Sequence, residues 1–151
     1  MKKMVAHNRI LQILRLALEL DDFSIETRVL AASITLAEMR FRPLTYRIFE
    51  YFYVVILLSL GRDVGRVSVG ISQISIRHIE RYEEVNQFNA LRLALSARNN
   101  LRVCCLILEE KSVKSIKDVA RLYNGRSTLF YKRTLEFYHS SLLALASGRP
   151  A

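Results

Sequence analysis

The chain has 151 residues, of which 51% are hydrophobic and 25% charged, so it carries enough apolar material for a core and falls outside the disordered class. Its length is that of one ordinary domain, and a single domain over residues 1–151 is expected. Five glycines and two prolines are too few for the many turns of an all-β protein, which leaves long helices. The two cysteines, Cys104 and Cys105, are adjacent and therefore a poor disulfide pair. His7, His78 and His139 are scattered, and no metal-ligand spacing or cofactor motif is present, so no metal and no cofactor is expected. Net charge is +9 and uneven. Residues 1–89 hold 12 Lys and Arg against 10 Asp and Glu, and residues 90–151 hold 11 against 4. A basic half suits a polyanion: nucleic acid, an anionic membrane or an acidic cell-wall polymer. The plainer reading of the same charge is a solvated surface.

In chain order, the first segment shows Ile10, Leu11, Leu14, Ala17 and Leu18 at helical spacing, which predicts a helix over 4–20. Arg15 and Glu19 interrupt its apolar stretch and no small-residue cleavage site follows, so it is no clear signal peptide. Asp21 and Asp22 end it. Ser24 with Glu26 and Thr27 can start a second helix over 25–40, which Arg42-Pro43 stops because proline cannot continue the hydrogen-bond ladder. A third helix over 44–60 contains the longest apolar run, Tyr51 to Leu60. Ten residues cannot cross about 30 Å of hydrocarbon, so the run is expected to be a central core helix. The expectation is a soluble chain made in the cytoplasm.

Gly61 to Ser75 holds three of the five glycines, with Val64, Val67, Val69 and Ile71 near alternation. A small β-hairpin or extended loop is predicted near residues 61–75. Helices resume over 76–98, 100–110, 115–123 and 128–146, and the final SGRPA is expected to fray. The fold class is therefore mainly α.

Three separated features carry the chemistry. Glu38 ends an apolar helix, with Leu30, Ala31 and Ile34 on or near its face. Burial there would raise its pKa and keep it protonated near neutrality. The plainer alternative is an exposed glutamate in a last turn. Second, Ser68-Val69-Gly70-Ile71-Ser72-Gln73-Ile74 offers a close backbone approach at Gly70 and an amide at Gln73. Third, Tyr123-Asn124-Gly125 precedes a helix bearing Tyr131 and Tyr138. Asn124-Gly125 also reads as a helix C-cap.

In this order the features resemble the lysozyme-like superfamily, in particular the lytic transglycosylases. That family carries Glu-Ser-x-Phe, then Gly-Leu-Met-Gln-Ile, then Tyr-Asn-Gly ahead of a tyrosine-bearing helix. Here Glu38 and Phe41, Gly70-Ile71-Ser72-Gln73-Ile74, and Tyr123-Asn124-Gly125 match, over residues 30–140. Met39 and Ser72 depart from the pattern, and the gap from Glu38 to Gly70 is longer than usual. The longer gap, with Ser68 and Gln73, is also similar to the glycosyltransferase domain of penicillin-binding proteins.

The resemblance implies a peptidoglycan-cleaving enzyme, a lytic transglycosylase or muramidase, acting on the bond between N-acetylmuramic acid and N-acetylglucosamine. Glu38 would be its general acid and base. Ser68, Gly70, Gln73, Tyr123 and Asn124 would bind the glycan strand. A hydrolase would want a second carboxylate. Asp63 is the candidate, against its plainer role as a turn residue paired with Arg62 or Arg66. Glu50, three helical turns from Glu38, is a further one, and could pair with Arg47 instead. Such an enzyme acts at the wall or in the periplasm and, without a clear signal peptide, needs secretion or lysis machinery.

Two other classes compete. Residues 115–138 read as a DNA-binding helix-turn-helix, with Arg126, Lys132 and Arg133 as phosphate or base contacts. A non-catalytic helical adaptor is the third.

Overall fold

Three helix starts are written into the local sequence. The Ser24 hydroxyl accepts from the Thr27 N–H, the Asn86 side chain from the Asn89 N–H, and the Ser96 hydroxyl from the Asn99 N–H. A computed structural model describes residues 2–119 and 129–147, with side chains described from residue 8. The helices are α1 (Lys2–Leu18), α2 (Ile25–Phe41), α3 (Leu44–Ser59), α4 (Ile76–Glu83), α5 (Gln87–Ala94), α6 (Ala97–Glu110) and α7 (Leu129–Ala146). A helical turn also covers 116–119. Between α3 and α4 lies an antiparallel pair, β1 (Ser68–Val69) and β2 (Ile74–Ser75), with Ser68 opposite Ser75 and Val69 opposite Ile74. The protein is thus mainly helical with one small hairpin, as its glycine and valine spacing predicts. Among the described residues no helix is long and apolar enough to cross a membrane.

The central helix is α2, not α3. Every α2 residue from Val29 to Glu38 is buried, and α1, α6 and α7 pack around it. The reason is side-chain size. Ala31, Ala32, Ser33 and Ala37 let neighbours approach from all sides. The hydroxyls of Ser33 and Thr35 bond back to the carbonyls of Val29 and Ala31, so their burial leaves no orphan donor. By contrast α3, expected to be central from its hydropathy, buries only Val54 fully. Its large aromatic and aliphatic side chains are too bulky to be enclosed on every side by so small a chain. They stand out on one face.

The helix expected over 76–98 is two helices. Glu84 adopts a left-handed conformation that ends α4, and Asn86 caps α5. In α6, Leu101, Val103, Cys104, Cys105 and Leu108 join the core, and in α7 Tyr131, Leu135 and Leu142 do so.

Candidate active site around Glu38

Glu38 lies in the last turn of α2, and only 8% of it is exposed. The Tyr131 hydroxyl of α7 donates to its Oε1 at 2.9 Å. Burial raises the Glu38 pKa above the ordinary carboxylate value. The Tyr131 hydrogen bond and the nearby Arg42 and Arg47 guanidinium groups oppose that rise, and Glu50 adds to it. Tyr131 itself is pushed up by burial and by Glu38, so its hydroxyl stays protonated and remains a donor. Phe41 packs on the Tyr131 ring at 5.4 Å and against the edge of Phe130 at 5.5 Å, which holds the Tyr131 ring in place beside Glu38.

The second feature of the sequence arrives beside the first. The hairpin connection Gly70–Gln73 begins and ends on left-handed residues, Gly70 at φ +80° and Gln73 at φ +52°. For glutamine that backbone is strained, and the strain is held by side-chain bonds. Gln73 Nε2 donates to the Gly70 carbonyl and to Glu50 Oε2, each at 3.1 Å. Arg42 Nη1 donates to Glu50 Oε1 at 2.6 Å and also to Gln73 Oε1. Arg42, Glu50 and Gln73 thus form a closed triangle on the Glu38 side of the hairpin. Arg47 lies in the field of both Glu38 and Glu50, and its buried Nε and Nη2 have no hydrogen-bond partner among the described residues.

The hairpin is anchored from behind by two buried polar groups. The Ser72 hydroxyl bonds the Thr35 hydroxyl of α2 at 2.7 Å. Asn100 of α6 accepts from the Ser72 N–H at 3.4 Å and donates to the Ala94 carbonyl at 2.6 Å. Gly70 is glycine because of this packing. A Cβ there would run into the Asn100 amide and stand 2.7 Å from the Ala94 carbonyl oxygen. The close approach expected at Gly70 is therefore made at least partly by the protein's own Asn100. A cavity of about 300 Å³ opens between α3, the hairpin and the end of α5, lined by Arg47, Glu50, Gly70 and apolar side chains including Phe52 and Leu95.

The remaining candidates are placed as follows. Ser68, on β1, borders a smaller hollow that also touches Gln73, Ser75 and His78. Asp63 stands in the loop before β1 with its side chain 64% exposed. It accepts from the Gly65 N–H at 2.9 Å and the Gln87 amide at 2.6 Å and pairs with Arg77 at 3.3 Å. Those bonds hold its pKa below the ordinary value. They are the bonds of a turn residue, with Arg77 in place of the expected Arg62 or Arg66, and none of them joins it to Glu38. Glu50, expected to face the cleft or pair with Arg47, pairs with Arg42 and lines the cavity. Tyr123 and Asn124, with the turn of the helix-turn-helix reading, lie outside the described residues.

Sequence reasoning missed Arg42 and Asn100 as site residues, and placed Tyr131 on the aromatic helix of the third feature without its bond to Glu38. Arg42 and Tyr131 carried a weak signal, being the cation before Pro43 and an aromatic on an apolar stripe. Asn100 carried a stronger one, a polar residue at a core position of a helix. No protein-family model matches the chain, and comparisons with curated proteins and with solved structures give no match.

Proposed function

We propose that this protein cleaves peptidoglycan glycan strands, as a lytic transglycosylase or muramidase on a lysozyme-like fold, with Glu38 as general acid and base. The observation that carries the reading is the buried Glu38, its pKa raised by that burial, set beside the Arg42–Glu50–Gln73 triangle, in which Arg42 and Gln73 meet from 31 residues apart. The order of parts supports the fold: an acid ending a core helix, then a hairpin, then a terminal helix whose tyrosine covers the acid.

In this mechanism protonated Glu38 gives its proton to the glycosidic oxygen, and the bond to the muramyl anomeric carbon breaks through an oxocarbenium-like transition state. On the anhydro route the Glu38 carboxylate then takes the proton of the muramyl 6-hydroxyl, whose oxygen closes the 1,6-anhydro ring. On the hydrolytic route water replaces that hydroxyl, and a second carboxylate assists. Glu50 suits that second role better than Asp63, because it lines the cavity beside Gly70 and shares Arg42 with Gln73. Gln73 and the Arg47 donors that have no partner among the described residues offer a polar edge to an oxygen-rich ligand. The place of action is the wall or the periplasm.

The test is clearing of purified peptidoglycan by wild type and by Glu38→Gln. Wild type is expected to clear it, and the variant is expected to lose at least 100-fold in rate while remaining folded. Full clearing by the variant removes Glu38 from the chemistry. No clearing by wild type leaves the adaptor and DNA-binding readings.

A further inference from the structure

We infer that Arg47 is a positioning residue for Glu38: its two open guanidinium donors receive the carboxylate that Glu38 becomes once its proton has been given away. The part this plays in catalysis rests on the wall-cleaving reading, whereas the pairing itself does not. Arg47 stands where a cation is poorly placed. It lies in the first turn of α3, at the positive end of the helix, and it is half-buried. Its Nε and Nη2 atoms are buried without a hydrogen-bond partner among the described residues, where Glu50 pairs with Arg42 instead. Nε–H and Nη2–H project from the same edge of the planar group. That edge is the fork that takes a carboxylate through two parallel bonds.

Two carboxyl groups act on Arg47, and Glu38 does so more strongly than Glu50. Glu50 is already committed, since Arg42 donates to its Oε1 and Gln73 to its Oε2. Glu38 is not. Tyr131 donates to its Oε1, and no bond among the described residues occupies its Oε2. While Glu38 keeps its proton it has no charge for Arg47 to meet, and the fork stays open to a ligand oxygen. Loss of the proton leaves a carboxylate in a nearly closed position, where an unpaired charge is strongly unfavourable. The other groups around it meet that charge less well. Arg42 is engaged by Glu50 and Gln73, Glu50 repels it, and Tyr131 of α7 supplies one neutral donor. From α6, Cys104 acts on Tyr131. Among the described residues no charged group of α1 or of the hairpin acts on Glu38. Arg47 borders the cavity of about 300 Å³, which gives its long side chain room to swing. In the cleavage step the proton passes from Glu38 to the glycosidic oxygen, Arg47 keeps its own protons, and two N–H···O bonds form to the carboxylate. They release when Glu38 next takes up a proton.

The test is nuclear magnetic resonance of the full chain, isotope-labelled in its arginine and glutamate side chains and titrated across the range in which Glu38 ionises. Glu38→Gln identifies the Glu38 signal. As Glu38 ionises, the Arg47 Nε–H signal is expected to move downfield and to exchange more slowly with water, with the midpoint of the Glu38 carboxyl signal. In Glu38→Gln neither change is expected. Arg47→Gln is expected to tighten the hold of Glu38 on its proton about tenfold or more, because an opposite charge is removed. Arg47→Lys keeps the charge without the fork and is expected to recover only part of that change. An Arg47 signal in wild type that ignores the ionisation of Glu38 overturns the inference, as does an Arg47→Lys variant whose Glu38 binds its proton as wild type does. The titration contains no peptidoglycan, so its failure strikes the pairing, whereas failure to clear the wall strikes the cleavage reading.

Discussion

Glu38 combines two properties that rarely coexist, a nearly closed position in a core helix and an ionisable group. Burial favours its neutral form, so its folded pKa lies above the unfolded one. Stability from that neutral form is fully present below the unfolded carboxylate pKa and is lost as pH rises through the folded value. Glu38→Gln removes the charging step. Its melting temperature is therefore expected to equal or exceed that of wild type at pH 8, with the difference closing toward pH 4 in thermal melts. Tyr131 acts in the opposite direction, since its hydrogen bond lowers the Glu38 pKa. In Tyr131→Phe that pKa rises further, so Glu38 holds its proton to higher pH. The alkaline limb of wall cleavage is expected to move up, and the lost bond to cost about 1–3 kcal/mol. An unmoved limb would separate Tyr131 from the acid. The burial of Glu38 was legible in its sequence, as a carboxylate on the apolar face of a helix. Tyr131 was legible as an aromatic of the last helix but its bond to Glu38 was not, because a partner 93 residues away on an aromatic stripe looks like core until the helices are packed.

At the scale of elements, the hairpin could be read from three glycines and a valine alternation, and the ends of α2 from Ser24 and Pro43. The central position of α2 could not be read from hydropathy. Small residues decide which helix can be surrounded, and hydropathy ranks the bulky α3 above it. The break between α4 and α5 rests on a left-handed Glu84, for which the residue type gives no warning. The hairpin's link to the core makes a sharp prediction. Gly70→Ala places a Cβ on a backbone at φ +80° and 2.7 Å from the Ala94 oxygen, and is expected to destabilise by about 2 kcal/mol or more. Asn100→Ala leaves the Ala94 carbonyl and the Ser72 N–H without their side-chain partner and is expected to cost about 2 kcal/mol. Urea unfolding measures both. Losses under 0.5 kcal/mol would mean that the hairpin is not clamped to α6 as described.

Over the whole molecule, charge and apolar surface are separated in sequence. The positive excess is concentrated in residues 90–151, while the apolar face belongs to α3. If the proposed function holds, attraction of the basic half to an anionic wall weakens with salt while sugar contacts in a cleft do not, so retention on insoluble peptidoglycan is expected to fall but persist between about 50 and 500 mM salt. The positive charge was legible from composition, yet composition alone could not say whether wall, membrane or nucleic acid receives it. The most direct test of the central claim is mass spectrometry of the soluble products after purified peptidoglycan is incubated with wild type or with Glu38→Gln. The account predicts disaccharide-peptides cut at the muramyl bond from wild type, lighter by one water if the anhydro ring has closed, and none from the variant. The same products in equal yield from both would contradict it.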